Sequence, residues 1–171
     1  MKRTIWIFAL LLTTFAATAR SEFSIGGGAH YWRTLEEIAD DDEFDDDGLA
    51  YMASIQIVPA RLLRIEADVE IFPDGFAGST DTAYAPQGYL ILGSALYAGL
   101  GVGTVYSSDF EDDFSDPFYV VRAGLNLELL PGLYLDLNAN YHFVEWEEIE
   151  DVDDDADGDT ITLGAMLRVV L

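Results

Sequence analysis

The segment Leu63-Arg64-Ile65-Glu66-Ala67-Asp68-Val69-Glu70-Ile71 alternates without a break: each odd position is apolar and each even one charged. An α-helix would spread those charges around its circumference, whereas a strand places all four on one face. The same period of two runs through Tyr119 to Leu129, with Arg122, Gly124, Asn126 and Glu128 on the polar parity. It recurs in Leu133 to Phe143 and in Ile161 to Leu171, where Thr162, Gly164, Met166 and Arg168 take the even positions. A chain patterned this way is all-β, with a sheet that is apolar on one side and polar on the other.

Eight strands are expected, at Glu22–Arg33, Leu49–Pro59, Leu63–Phe72, Gln87–Ser94, Leu96–Tyr106, Phe118–Leu130, Leu133–Glu145 and Thr160–Leu171. The fourth is apolar on both faces at Gly88-Tyr89-Leu90-Ile91-Leu92, so its parity cannot be read. Short connections at Ala60–Leu62, near Ala95 and at Pro131-Gly132 alternate with long ones at Thr34–Gly48, Pro73–Pro86, Ser107–Pro117 and Trp146–Asp159. In an up-and-down meander, such alternation puts the tight turns at one end of the sheet and the long loops at the other. Thr82–Ser108 holds no charged residue and is long enough for a transmembrane helix, but Gly99-x-Gly101-x-Gly103 repeats with period two and favours strands.

The composition narrows the function classes. The 171 residues carry 8 Lys+Arg against 32 Asp+Glu, a net charge of −24, yet half are hydrophobic. Disordered acidic chains are poor in apolar residues. Nucleic-acid binding needs a basic face, and this chain has none. With no Cys there is no disulfide, thiolate metal site or Cys nucleophile. Lys2 and Arg3, the apolar run Ile5–Leu12 and the small residues Ala17-Thr18-Ala19 have the form of an export leader cleaved after Ala19. Residues 20–171 are then a single domain, with six Arg and no Lys.

Two solvents could produce a sheet with one apolar face. A soluble cup would turn that face inward; a membrane barrel turns it out to lipid. Three features favour lipid. The polar parity is rich in glycine, at Gly26, Gly28, Gly99, Gly101, Gly103, Gly124 and Gly164. Glycine weakens a solvated strand but makes room in a narrow lumen. That parity also lacks Lys. Finally, Tyr31, Tyr51, Tyr106, Tyr119, Tyr141 and Phe143 fall on the apolar parity near the long-loop end, where an interfacial aromatic girdle is expected.

The leader, the eight amphipathic strands, the alternating turns and loops and a strand running to the last residue together resemble the small outer-membrane β-barrels of Gram-negative bacteria, the OmpA/OmpX type. The resemblance implies an eight-stranded antiparallel up-and-down transmembrane β-barrel, porin-like in class. It further implies a monomer in contact with outer-membrane lipid and lipopolysaccharide, inserted by the barrel assembly machinery. Its departure is the final residue, Leu171, where such barrels usually end in Phe or Trp.

Inside such a barrel, Arg64, Arg122 and Arg168 would meet Glu66, Asp68, Glu70, Glu128 and Asp136. Guanidinium groups stay charged when buried and bind carboxylates in a fork, so a paired network filling the lumen is expected. The four long connections hold 9, 2, 5 and 9 carboxylates in turn. In the last, Asp153-x-Asp155-x-Asp157-Gly158-Asp159 has the alternating oxygens of a Ca²⁺ loop, although Gly164 stands where its closing Glu belongs. No other cofactor is expected. His30 and His142 lack the neighbours of a barrel hydrolase, and no nucleophile, base and oxyanion donors assemble, so the chain reads as a non-enzyme. The expected role is a structural or interaction scaffold with a plugged polar lumen and outward acidic loops; the alternatives are a narrow ion or small-solute channel and an adhesin or ligand receptor with Ca²⁺-dependent loops.

Overall fold

The structure is a computed structural model that describes residues 22–34, 47–73, 81–108, 114–143 and 160–171. Eight strands follow in order: β1 (Glu22–Thr34), β2 (Asp47–Ala60), β3 (Leu63–Phe72), β4 (Ala83–Gly93), β5 (Leu96–Gly103), β6 (Phe118–Leu130), β7 (Leu133–Phe143) and β8 (Thr160–Val170). Each pairs antiparallel with its sequence neighbour, and β1 pairs with β8 to close the barrel. The charge-free stretch Thr82–Ser108 forms β4 and β5, and among the described residues no helix is long and apolar enough to cross a membrane.

The register fixes the shape. From Ala29, cross-strand partners run one way through Tyr51, Ile71 and Tyr84 to Tyr106. The other way they run through Ala165, Leu137 and Leu125 to Leu96. Both paths end on β5 or its continuation, at positions 106 and 96, so the sheet closes with a stagger of ten residues. For eight strands this tilts each strand by about 40° and leaves an axis just wide enough for side chains.

The tight turns are knitted into the sheet. Gly132, with φ of +79°, turns the chain between β6 and β7, and its carbonyl accepts from Val170 N at 2.8 Å. Gly93 N donates to Leu62 O, Asn126 N to Ala95 O, and Leu171 N to Phe23 O. β4 begins at Ala83, four residues before the sequence suggests. Pro86 lies within it, next to the point where β5 leaves the ladder, and its carbonyl still accepts from Thr104 N at 3.3 Å. β5 correspondingly ends at Gly103, although Tyr106 is still bridged to Tyr84 and Phe114.

The orientation of the two faces is unambiguous. Ile65 and Leu125 are 51 % and 43 % exposed on the outer wall, whereas Arg64 and Glu66 are 4 % and 2 % exposed on the axis. Ile25, Ile55, Leu90, Leu100, Leu163 and Leu167 continue the apolar wall around the barrel. The parity of β4 is settled too: Gln87, Tyr89 and Ile91 point in, and Leu90 and Leu92 point out. A cation on a wall facing acyl chains is costly, so Leu100→Arg, midway along β5, is expected to destabilise the barrel by about 2–4 kcal/mol in equilibrium unfolding from phospholipid vesicles. A change near zero would mean that this wall faces water.

Candidate functional site

The axis holds a continuous set of polar side chains from seven strands. Glu66 on β3 is its hub. It accepts from Arg122 Nη1 on β6 at 3.2 Å, Arg168 Nη2 on β8 at 2.9 Å and Gln56 Nε2 on β2 at 2.5 Å. Arg122 also donates through Nη2 to Asp68 at 3.1 Å and through Nε to Asn140 at 2.6 Å. Its guanidinium lies 3.6 Å above the ring of Tyr89, so both edges and one face of the cation are engaged. Arg168 reaches Ser54 Oγ at 3.1 Å. Asn140 passes the network to Thr162 and Asn138, and Asn138 donates to Asp136.

Nearer the tight turns, Arg64 stacks 4.2 Å above the ring of Tyr97, whose hydroxyl donates to Asp136 at 2.5 Å. Nearer the long loops, His30 Nδ1 and Glu70 Oε1 are 2.8 Å apart and both groups are buried. The His30 ring lies against Gly164, where any Cβ would overlap it. The ring of Tyr89 likewise presses on Gly101. The lumen glycines of the sequence are thus the floor beneath the large lumen residues.

The long-loop end of the axis is apolar. Trp32, Ala50, Phe72, Ala83, Val105 and Phe118 are buried together where the strands meet the long connections. Trp32 and Phe72 meet edge to face with centroids 6.2 Å apart, and Phe118 packs on His142 at 5.4 Å. His142 lies within reach of Thr160 O at 3.3 Å.

Of the eight ionisable residues expected in the lumen, seven are buried on the axis: Arg64, Glu66, Asp68, Glu70, Arg122, Asp136 and Arg168. Glu128 is the exception. It is exposed beside its cross-strand partner Tyr134, because this part of β6 has reached the short-turn mouth. Of the expected girdle, Tyr31, Tyr51 and Tyr106 are exposed and Tyr119 and Tyr141 partly so. Phe143 is a correction: at 1 % exposure it is buried, with the rings of Tyr119 and Tyr141 at 5.7 and 5.9 Å. Tyr84 and Phe114 join the exposed aromatics instead. Asp153, Asp155, Asp157 and Asp159 lie outside the described residues. Among the described residues, no group of three or more His, Asp or Glu side chains is placed to hold a metal ion.

Sequence reasoning overlooked four groups. The His30–Glu70 pair joins positions 40 residues apart on strands that are not adjacent, and periodicity cannot report that. Tyr89 lies in a segment whose parity cannot be read, and Tyr97 shares the parity of Gly99, Gly101 and Gly103 but has an aromatic side chain that does not mark it as a lumen residue. Gln56 looked like an ordinary polar strand residue, yet it shares the hub carboxylate.

No family model and no curated protein matches the sequence. Among solved structures, Neisserial surface protein A superposes with a TM-score of 0.56 and 18 % identity, covering 86 % of this chain and 96 % of that one. The N-terminal β-barrel domain of Pseudomonas aeruginosa OprF gives 0.51 and 9 %, covering 89 % and 100 %. This chain has the fold of the small outer-membrane barrels. At such identities the likeness is one of architecture, and the lumen network must be understood from this chain's own residues.

Glu66→Ala would leave two buried guanidinium groups facing an absent carboxylate. It is expected to cost about 3–5 kcal/mol, measured by equilibrium denaturation of the refolded barrel, and to cost more than Gln56→Ala. Equal, small effects of the two changes would show that Glu66 is not the hub.

Proposed function

We propose that this chain is a structural and interaction scaffold of a Gram-negative outer membrane. It is exported by the leader ending at Ala19, folds as a monomer and turns its acidic loops away from the cell. The observation that carries this reading is the inverted distribution of polarity: an unbroken apolar wall outside, and three guanidinium groups among four carboxylates inside. Water would not select that arrangement, whereas hydrocarbon requires it. Outer-membrane lipid and lipopolysaccharide are the surroundings such a wall suits, and the barrel assembly machinery is the route by which such a barrel reaches them. The role is not catalytic.

The same reading makes the lumen a plug. Two devices support it: the Glu66-centred network across the middle and the Trp32–Phe72 layer at the long-loop end. Cell fractionation should place the chain in the outer membrane, and the unboiled barrel should run anomalously on SDS gels until heated. Recovery in a detergent-free soluble fraction would contradict the membrane assignment. Planar bilayer recordings should show no large, steady conductance; finding one would replace the plugged scaffold with a narrow channel.

A further inference from the structure

The hydrogen bonds the lumen leaves unmade are divided by position. Toward the long loops the unpartnered atoms are mixed: Asp68 Oδ1 and Glu70 Oε2 are acceptors, Gln87 Nε2 is a donor, and His30 Nε2 joins them. At the short-turn mouth, donors predominate. Nε, Nη1 and Nη2 of Arg64 make no hydrogen bond, although the residue is only 4 % exposed, and Arg168 Nε and Ser24 Oγ are unpartnered as well, against one unpartnered acceptor at this end, Asn126 Oδ1. A buried guanidinium with every nitrogen unmatched is expensive and calls for an acceptor.

The local geometry says what kind. Tyr97 covers one face of the Arg64 guanidinium, so its planar N–H edge is what remains to be used. The nearby carboxylate, Asp136, accepts from the Tyr97 hydroxyl and from Asn138, both at Oδ1, and makes no hydrogen bond to Arg64. Arg64 is the second residue of β3, so the mouth it occupies opens at the end of the tight turns, where Glu128 is also exposed, and not at the end of the loops that hold most of the acid. That end is about 25 Å from the loop end, well beyond the screening length at physiological salt. A planar donor fork matches a small oxyanion.

We propose that the short-turn mouth of the lumen binds a small oxyanion, a phosphate or a carboxylate, with the edge of Arg64 as its principal donor. The proposal rests on the transmembrane reading only in needing this mouth to face water. Loss of heat-modifiable mobility would signal failure of that reading separately.

The test uses the full barrel refolded in detergent and titrated with sodium phosphate or sodium acetate, at ionic strength held constant with sodium chloride. Unfolding is followed by circular dichroism. The expected result is a saturable rise in the unfolding midpoint with at least one anion; the tighter of the two identifies the source chemistry. Arg64→Gln should abolish the rise, and Arg64→Lys should weaken binding about tenfold, since lysine keeps the charge but not the fork. Arg61→Gln, in the exposed turn alongside, should leave it intact. If Arg64→Gln does not fold, phosphorus NMR on the unaltered chain decides, through phosphate line broadening that acetate displaces. No saturable effect of either anion beyond that of chloride, an undiminished effect in Arg64→Gln, or its loss in Arg61→Gln would overturn the proposal and leave Arg64 satisfied by water alone.

Discussion

Hydrocarbon offers a backbone no hydrogen bonds, so a strand that faces it needs a partner on both sides. That constraint closes β1 onto β8, and the remaining features follow from the closure. Eight strands with a stagger of ten leave an axis that only side chains can fill. Because the wall must be apolar, the axis receives everything polar the strands carry. Because the axis is narrow, large residues there need small ones opposite. Gly164 beneath His30 and Gly101 beneath Tyr89 are the local consequences.

A charged axis is costly unless each charge is met. The three lumen cations are arginines, which keep their charge and use edges and faces independently. Arg122 uses all of these at once: Glu66 and Asp68 at its tips, Asn140 at Nε and Tyr89 beneath. Desolvation offsets much of the attraction in such a network, so its contribution is better sought in register than in raw stability. Six strands share the Glu66-centred contacts through Gln56, Glu66, Asp68, Tyr89, Arg122, Asn140 and Arg168, and a slip of one residue would send each of these groups into the apolar wall. The apolar cluster around Trp32 and Phe72 lies beyond this polar middle, where the strands meet the long connections.

Period-two alternation exposed most of this architecture. β3 and β6 begin and end where the residue pattern does, because polar and apolar residues alternate through the middle of each, from Arg64 to Glu70 and from Arg122 to Glu128. β4 was less legible because Leu90, Ile91 and Leu92 are all apolar; only its neighbours determine that Ile91 turns inward. Its early start is masked by Pro86, which looks like a boundary but withholds only one N–H, while its carbonyl still accepts from Thr104 N and Tyr84 pairs with Tyr106 beyond it. Parity also says nothing about height along the axis. Glu128 has the lumen parity but lies at the mouth, and Phe143 has the wall parity but is covered by other rings. Contacts across the lumen, such as His30 with Glu70, depend on which strands the closed barrel sets face to face, and a single sequence carries no record of that.

The absence of cysteine from the chain permits a direct measurement of what touches each face. Single cysteines placed at Ile65, Leu125 and Leu137 and labelled with an environment-sensitive fluorophore can be challenged, in refolded vesicles, with a quencher carried on lipid acyl chains and with aqueous iodide. The expected outcome is strong quenching from the acyl chains and little from iodide at all three positions. Ready quenching by iodide, with none from lipid, would mean that the apolar wall meets water, and the inverted barrel described above would not stand.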